Sequence, residues 1–175
     1  MTNLNEKERR LDHSTYRSFL QVFLEKLGNH MKNNLLSVVL YGSAARGNAH
    51  RESDVDILIL YRKGNSDISE EYAASVIEAR ESPEYRELFE KGIYAEISPL
   101  LMTREELKTN PLILLDIMDE GIILSERNHC FTRIVKKMRK EIKNMGSRKI
   151  TLPDGSWYWE LKPGWKPGEL IEVAL

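Results

Sequence analysis

The chain has 175 residues, of which 41% are hydrophobic and 30% are charged, and its formal net charge is −1 at pH 7. This length is sufficient for one buried core, and the balanced charge excludes a global attraction to nucleic acid or to an anionic membrane. The single cysteine, Cys130, excludes an internal disulfide and is expected to be a small core residue. The polar start of the chain does not resemble a secretory signal, and no apolar run approaches the ~20 residues that span a bilayer. We therefore expect one cytoplasmic domain.

The first helix is predicted by apolar side chains that recur at helical spacing over residues 16–27. Asp12 or Ser14 is suited to cap its start, because a short polar side chain can accept a hydrogen bond from the first N–H groups of a helix. Gly28 is expected to end it.

Two apolar runs predict the next two strands. Residues 35–41 form the first run, and residues 54–61, rich in Val, Ile and Leu, form the second. The segment 44–47 between them is compatible with the first turn of a helix. About a dozen residues join the two strands, and this length allows either a hairpin-like return or a crossover.

The rest of the chain alternates between helices and strands. We expect helices over residues 70–81, 83–91, 103–109, 111–120 and 129–144, and strands over 92–102 and 122–124. The turn signal Pro153-Asp154-Gly155 predicts a hairpin over residues 149–162, followed by an irregular tail. The pattern predicts an α/β (α+β) fold, in which helices pack on a mixed sheet and a C-terminal helix and β-hairpin follow.

We divide the chain into an N-terminal helix of the core (residues 1–30), the core itself (31–128) and a C-terminal basic helix, hairpin and tail (129–175). We expect the three parts to form one structural unit.

Two aspartates open the second strand. Asp54 and Asp56 point to the same side of a strand, because Val55 between them faces the other way. Two carboxylates this close repel each other unless a cation lies between them. Magnesium prefers such oxygen ligands and takes one or two protein carboxylates together with substrate phosphate. The alternative is a pair of solvated acids at a strand end, which is the commoner meaning of an isolated Asp-x-Asp.

A Gly-Ser turn precedes these aspartates. Gly42 allows the backbone to bend tightly and to approach a ligand, and the N–H groups that follow it can attract phosphate oxygens. The hydroxyl of Ser43 can add a donor. Arg46 can pair with phosphate, or it can form a surface salt bridge with a nearby acid. Together with the aspartates, this turn indicates a site for a metal-bound nucleoside triphosphate.

A third acid, Glu96, lies inside the strand predicted over residues 92–102. A carboxylate in an apolar strand needs a partner. Glu96 can serve as a third metal ligand, or as a base that takes the proton from an attacking hydroxyl. The alternative is a solvated sheet face shared with Tyr94 and Ser98.

This pattern, in which ten residues separate Gly42-Ser43 from Asp54-x-Asp56 and an acid follows on a later strand, resembles the nucleotidyltransferase superfamily of DNA polymerase beta. It is most similar to the small prokaryotic branch of minimal nucleotidyltransferases. The resemblance implies a mixed-sheet α/β core, and it implies that the two aspartates and Glu96 are the catalytic carboxylates that bind two Mg²⁺ ions. Gly42 and Ser43 would then hold the triphosphate, and the charge of Arg46 makes it a further candidate to bind phosphate. The implied reaction transfers a nucleoside monophosphate, with ATP as the expected donor, to an acceptor hydroxyl and releases pyrophosphate.

The acceptor is not named by this pattern, so protein, RNA and small molecules stay open. Between Arg133 and Lys149 there are eight basic residues and one acid, Glu141. This segment could meet RNA, a triphosphate or an acidic protein, or it could be the solvated face of an amphipathic helix. The hairpin and tail also concentrate aromatic residues that could stack on a base, contact a partner, form a homodimer contact or close the edge of the core: Trp157, Tyr158, Trp159 and Trp165.

The resemblance also leaves two other functions open. Some minimal nucleotidyltransferases act as antitoxins and transfer AMP to a HEPN-type ribonuclease. This chain has no HEPN-like Arg-x4–6-His motif, so such a toxin would be a separate protein. The chain could also be a catalytically inactive nucleotide- or RNA-binding protein.

Overall fold

The computed structural model describes residues 10–64, 67–109, 112–166 and 168–169. The predicted helix start at Pro111 and residues 170–175 of the predicted tail lie outside the described residues. Within the described residues, no helix combines the length and the apolar character needed to cross a membrane.

A four-stranded mixed sheet has the order β3-β2-β1-β4. Strand β1 (Leu35–Leu40) is antiparallel to both β2 (Val55–Tyr61) and β4 (Ile122–Glu126), whereas β3 (Ile97–Thr103) is parallel to β2. The predicted mixed sheet is therefore confirmed. The link between the first two strands is a hairpin-like return that contains one short helix, α2 (Gly42–Arg46).

Three helices contribute to the core on one face of the sheet: α1 (His13–Met31), α3 (Ile68–Arg80) and α4 (Pro83–Glu90). The side chain of Asp12 caps α1, because it accepts a hydrogen bond from the N–H of Ser14 at 2.9 Å. Burying this apolar face against alternate strand residues supplies much of the stability of the fold.

The prediction that Gly28 ends the first helix is wrong. The helix continues to Met31, which is 1% exposed, because this residue extends the apolar face of the helix by one more turn into the core. A glycine in a helix is only a weak stop signal, and burial of the next apolar side chain overrides it.

The opposite face of the sheet carries α5 (Arg104–Thr109), α6 (Ile113–Glu120) and α7 (Cys130–Asn144). A capping box starts α5, since Glu106 accepts from the N–H of Thr103 at 2.7 Å and donates its own N–H to the Thr103 hydroxyl at 3.1 Å. Cys130, at the start of α7, is buried as expected, and its thiol forms no disulfide.

The predicted C-terminal hairpin is also confirmed. Strands β5 (Arg148–Thr151) and β6 (Trp157–Glu160) pair antiparallel and form a separate two-stranded sheet. Trp159 and Leu161 pack against the core cluster on the side of α6 and α7, so the hairpin is anchored to the main body.

The third strand is shorter than predicted. It begins at Ile97 rather than at residue 92, because two N–H groups before it donate to carbonyls of the same segment. The N–H of Ile93 donates to the carbonyl of Leu88 at 2.9 Å, and that of Glu96 donates to the carbonyl of Tyr94 at 2.9 Å. Glu96 therefore precedes the strand and does not lie in its middle.

The two glycines at positions 28 and 121 should respond oppositely to alanine. A Cβ at Gly28 meets nothing within 4 Å inside a helix, so Gly28→Ala should stabilise the fold by roughly 0.5–1 kcal/mol. A Cβ at Gly121 would overlap the carbonyl oxygen of Ile117 and lie 3.1 Å from Cγ1 of Val39, so Gly121→Ala should cost about 1–3 kcal/mol. Urea unfolding of both variants tests this, and shifts of the same sign would contradict the packing described here.

Candidate active site

The two aspartates lie where β2 begins. Asp54 is exposed and immediately precedes the strand, whereas Asp56 is half-buried as its second residue. Asp56 is on the same face of the strand as Leu58 and Leu60, which belong to the core under α6 and α7. Its carbonyl accepts a hydrogen bond from the N–H of Tyr41 at 3.0 Å, so the end of β1 lies beside it.

The charge on this pair is unfavourable without a cation. Burial raises the pKa of the Asp56 carboxyl, the negative charge of Asp54 adds to this rise, and the Arg46 guanidinium opposes it. The pKa of the half-buried Tyr41 phenol is also raised, by burial first and then by the Asp56 charge. A partly buried carboxylate whose ionised form is disfavoured, with a second carboxylate beside it, is a donor set that fits a divalent cation.

Gly42 brings the backbone directly against Asp56. Its φ is +70°, in the left-handed region that favours glycine, and it is the first residue of α2. A Cβ at this position would overlap Oδ2 of Asp56 and lie 3.0 Å from its Cγ. The contact joins the Gly-Ser turn and the aspartate pair into one site, as the sequence spacing indicated.

Ser43 lies next to this contact, in the first turn of α2, and is half-buried. The helix has no side-chain cap at Tyr41, and the first N–H groups of any helix lack intrahelical partners. The Gly-Ser turn therefore presents backbone donors beside the carboxylates.

Arg46 ends α2 and forms an ion pair with an acid that the sequence analysis did not select. Its Nη1 donates to Oε2 of Glu120 at 3.0 Å, while Lys149 donates to Oε1 of the same carboxylate at 3.0 Å and to Oδ2 of Asp119 at 2.7 Å. Glu120 lies 74 residues from Arg46 and 29 from Lys149 in sequence. No spacing rule links residues so far apart, so only the fold reveals this cluster.

Glu96 is not assembled with the aspartates in this structure. Its side chain is 66% exposed and pairs with Nη2 of Arg80 at 2.8 Å. The main chain does come close, because the N–H of Val55 donates to the Glu96 carbonyl at 2.8 Å. Over the described ranges, no three acidic, His or Cys side chains group as a metal site.

The basic C-terminal helix buries Ile134 and Met138 and exposes most of its cations, as an amphipathic helix should. Tyr158 and Trp165 are 52% and 46% exposed. Trp157 instead forms a cation–π contact with Lys149, whose ammonium lies 4.2 Å from the centroid of the ring. The hairpin therefore combines exposed aromatic surface with one cation directed toward α6.

Comparisons with known proteins show which proteins this chain resembles. Residues 17–124 match the family model described as the nucleotidyltransferase domain. A protein of Methanocaldococcus jannaschii that is provisionally named a protein adenylyltransferase is 28% identical over 141 residues, which cover 77% of this chain and 88% of that protein. The family match contains every site residue predicted from the sequence, whereas α7 and the hairpin lie beyond it.

Solved structures show weaker similarity. A toxin–antitoxin crystal structure with AMP-PNP is 18% identical, with a TM-score of 0.40 over 70% of this chain and 88% of that chain. A protein from Sulfolobus solfataricus, provisionally described as a nucleotidyltransferase, is 16% identical, with a TM-score of 0.35 over 65% of this chain and 88% of that chain.

Gly42 and Gly47 form a matched pair for testing the close contact with Asp56. Both have positive φ, +70° and +72°, but a Cβ at Gly47 only reaches ordinary contact, 3.6 Å from Cβ of Asp12. Gly42→Ala should therefore lower the thermal unfolding midpoint clearly more than Gly47→Ala, because it adds a steric overlap to the same backbone strain. Equal losses would show that the Asp56 carboxylate moves freely away from position 42.

Asp56→Asn should stabilise the protein at neutral pH in the presence of a chelator. The raised pKa means that the folded state disfavours the ionised carboxylate, so the wild type bears this cost above the folded pKa and loses it as the pH falls. The gain in unfolding midpoint should shrink toward pH 4. Asp154→Asn is the control of opposite sign, because its hydrogen bonds to Ser156 lower the pKa of Asp154. A pH-independent difference for Asp56→Asn would contradict this assignment.

Proposed function

The chain belongs to the nucleotidyltransferase domain family, and on this premise we propose that it transfers a nucleoside monophosphate from a nucleoside triphosphate to an acceptor hydroxyl. ATP is the proposed donor, and pyrophosphate is the second product. The observation that supports the proposal is the contact between Gly42 and Asp56, since a turn suited to phosphate lies there against a carboxylate suited to a metal.

Asp54 and Asp56 are the proposed ligands of a divalent cation, with two Mg²⁺ ions as the specific proposal. When bound, such ions neutralise phosphate charge and polarise the reacting oxygens. The mutual repulsion of the two carboxylates supports this role, because a cation removes the cost of ionising Asp56.

The phosphate chain is proposed to lie along the Gly-Ser turn. The N–H groups of Gly42 and Ser43, and the Ser43 hydroxyl, would donate to phosphate oxygens. Arg46 would add a charge-assisted hydrogen bond, since its guanidinium has five N–H donors and Glu120 engages Nη1.

Glu96 is the proposed third carboxylate, either as a metal ligand or as the base. This proposal is supported by the hydrogen bond from the N–H of Val55, which follows Asp54, to the Glu96 carbonyl. Its exposed side chain would have to turn away from Arg80 to reach the pair.

The proposed reaction forms one P–O bond, breaks another and moves one proton. The acceptor hydroxyl oxygen bonds to the α-phosphorus, and the bond from that phosphorus to the bridging oxygen of the β-phosphate breaks. The hydroxyl proton passes to a base, for which Glu96 is the candidate, and pyrophosphate leaves with the electron pair.

A protein hydroxyl is the acceptor that we favour, because the relative in M. jannaschii carries the provisional name protein adenylyltransferase. RNA and small molecules are the competing acceptors. We place the reaction in the cytoplasm, and we propose that residues 129–175 act as one unit with the core, since Trp159 and Leu161 of the hairpin region pack against it.

A second candidate function is that of an antitoxin, which modifies or simply binds a separate HEPN-like toxin. The exposed aromatic residues Tyr158 and Trp165 and the basic face of α7 favour such a contact. Co-purification from the native host distinguishes the two modes. A partner that the Asp54→Ala/Asp56→Ala double variant inhibits as well as the wild type does would indicate neutralisation by binding alone.

Transfer should depend on the aspartates. With α-labelled ATP, GTP, CTP or UTP, Mg²⁺ and a host extract as the source of acceptors, we expect label to enter an acceptor. Asp54→Ala and Asp56→Ala should reduce this by about 10³-fold or more, because little besides charge neutralisation and positioning drives phosphoryl transfer. Glu52→Ala, which removes an exposed acid from the same loop, is the matched control.

Glu96→Gln separates the roles of the three acids. A loss as large as that of the aspartate variants supports a third catalytic carboxylate, whereas wild-type activity would restrict the site to Asp54 and Asp56. Pyrophosphate release that survives in Asp54→Ala would contradict the proposed site as a whole.

A further inference from the structure

A continuous chain of ion pairs connects the candidate active site to the C-terminal hairpin. Glu120, the last residue of α6, uses one carboxylate oxygen for each of two cations. Its Oε2 accepts from Arg46 on α2 at 3.0 Å, and its Oε1 accepts from Lys149 on β5 at 3.0 Å. The Glu120 side chain therefore links α2 to β5, and β5 lies outside the region that matches the family.

Lys149 contacts two carboxylates and one aromatic ring. Its ammonium donates to Asp119 at 2.7 Å as well as to Glu120, and it lies 4.2 Å from the centroid of the Trp157 ring. Burial lowers the pKa of Lys149, but the two carboxylates more than offset this, so that the pKa is raised overall and the residue stays charged. Lys149 and Glu120 are each only 23% exposed, so solvent and salt screen this pair less than a surface ion pair.

The hairpin also has packing contacts that fix the position of β5. Trp159 and Leu161 contact the core cluster that includes Met118 of α6, and the Ser147 hydroxyl donates to the Leu161 carbonyl. By contrast, the neighbouring cation Arg148 pairs with Glu160 on the hairpin itself, at 2.6 Å.

Arg46 ends α2, the short helix whose first residue, Gly42, lies against Asp56. Its Nη1 donates to Glu120, so the side chain is anchored at one end of this helix while the aspartates lie at the other. Glu120 engages one nitrogen of the guanidinium, and the group has five N–H donors in all.

We propose that Glu120 is a positioning residue that orients Arg46 toward the nucleotide phosphates, and that the C-terminal hairpin completes the nucleotide site by fixing Glu120 through Lys149. This inference rests on the proposed function, because it assigns Arg46 to phosphate. It gives the hairpin a role in nucleotide affinity rather than in the chemistry of transfer. The acceptor is not involved, so the role can be tested by binding alone.

The first test measures the Kd for α,β-methylene-ATP with Mg²⁺, a probe that binds without transfer. Glu120→Gln should raise the Kd by about three- to ten-fold, because it removes the charged partner that orients Arg46. Lys149→Met should raise it by about two- to four-fold, and Lys149→Arg should restore it. Arg148→Met is the matched control, since it removes an adjacent cation whose partner lies within the hairpin, and it should leave the Kd unchanged.

In the transfer assay, Glu120→Gln and Lys149→Met should raise the KM for the nucleotide more than they lower kcat. A general loss of folding would not produce this difference. A Kd that is unchanged or lower in Glu120→Gln would overturn the proposal, because it would mean that Glu120 is neutral or withholds Arg46 from phosphate.

The second test needs no nucleotide. A double-mutant cycle of thermal unfolding with Glu120→Gln and Lys149→Met should be non-additive, with the double variant losing less than the sum of the single losses. Additive losses would show that the contact is not formed in solution and would overturn the inference whatever the activity. If the cycle is non-additive but the wild type binds no nucleotide, the proposed function is contradicted and this inference with it. Non-additivity with nucleotide binding that Glu120→Gln leaves intact would contradict the positioning role alone.

Discussion

The backbone of Gly42 lies so close to the carboxylate of Asp56 that a side chain at position 42 would occupy the same space. The antiparallel pairing of β1 and β2 creates this contact, because the return between the strands is short and the N–H of Tyr41 bonds to the carbonyl of Asp56. The Gly-Ser turn, the aspartates and Arg46 all take their positions from it. The helices packed on both faces of the sheet hold β1 and β2, and therefore this contact, in place.

The electrostatics at Asp56 disfavour its ionised form. Asp56 is partly buried beside a second carboxylate, and ionising it costs folding free energy. Farther from the aspartates, Glu120 forms ion pairs with both Arg46 and Lys149. The electrostatics thus change from two neighbouring acids at the start of β2 to ion pairs that reach the hairpin.

The position of Glu96 shows how local hydrogen bonding can alter a site without changing its sheet register. The N–H of Val55 bonds to the Glu96 carbonyl, so the Glu96 backbone lies at the start of β2. The local bonds after α4 delay the start of the strand, so simple strand alternation does not decide where its side chain points. Arg80 at the end of α3 pairs with it instead.

Most elements and the Gly-Ser and Asp-x-Asp motif can be predicted from the amino-acid sequence, because they depend on neighbours within a few residues. Helical periodicity, the capping box at Thr103, the hairpin turn around Asp154 and the spacing from Gly42 to Asp56 are all local patterns. The partners of distant charges, the end of the first helix and the direction of the Glu96 side chain follow from the folded chain. Those outcomes depend on packing and on pairing between residues far apart in the chain, and the sheet and helices must be assembled before such contacts exist.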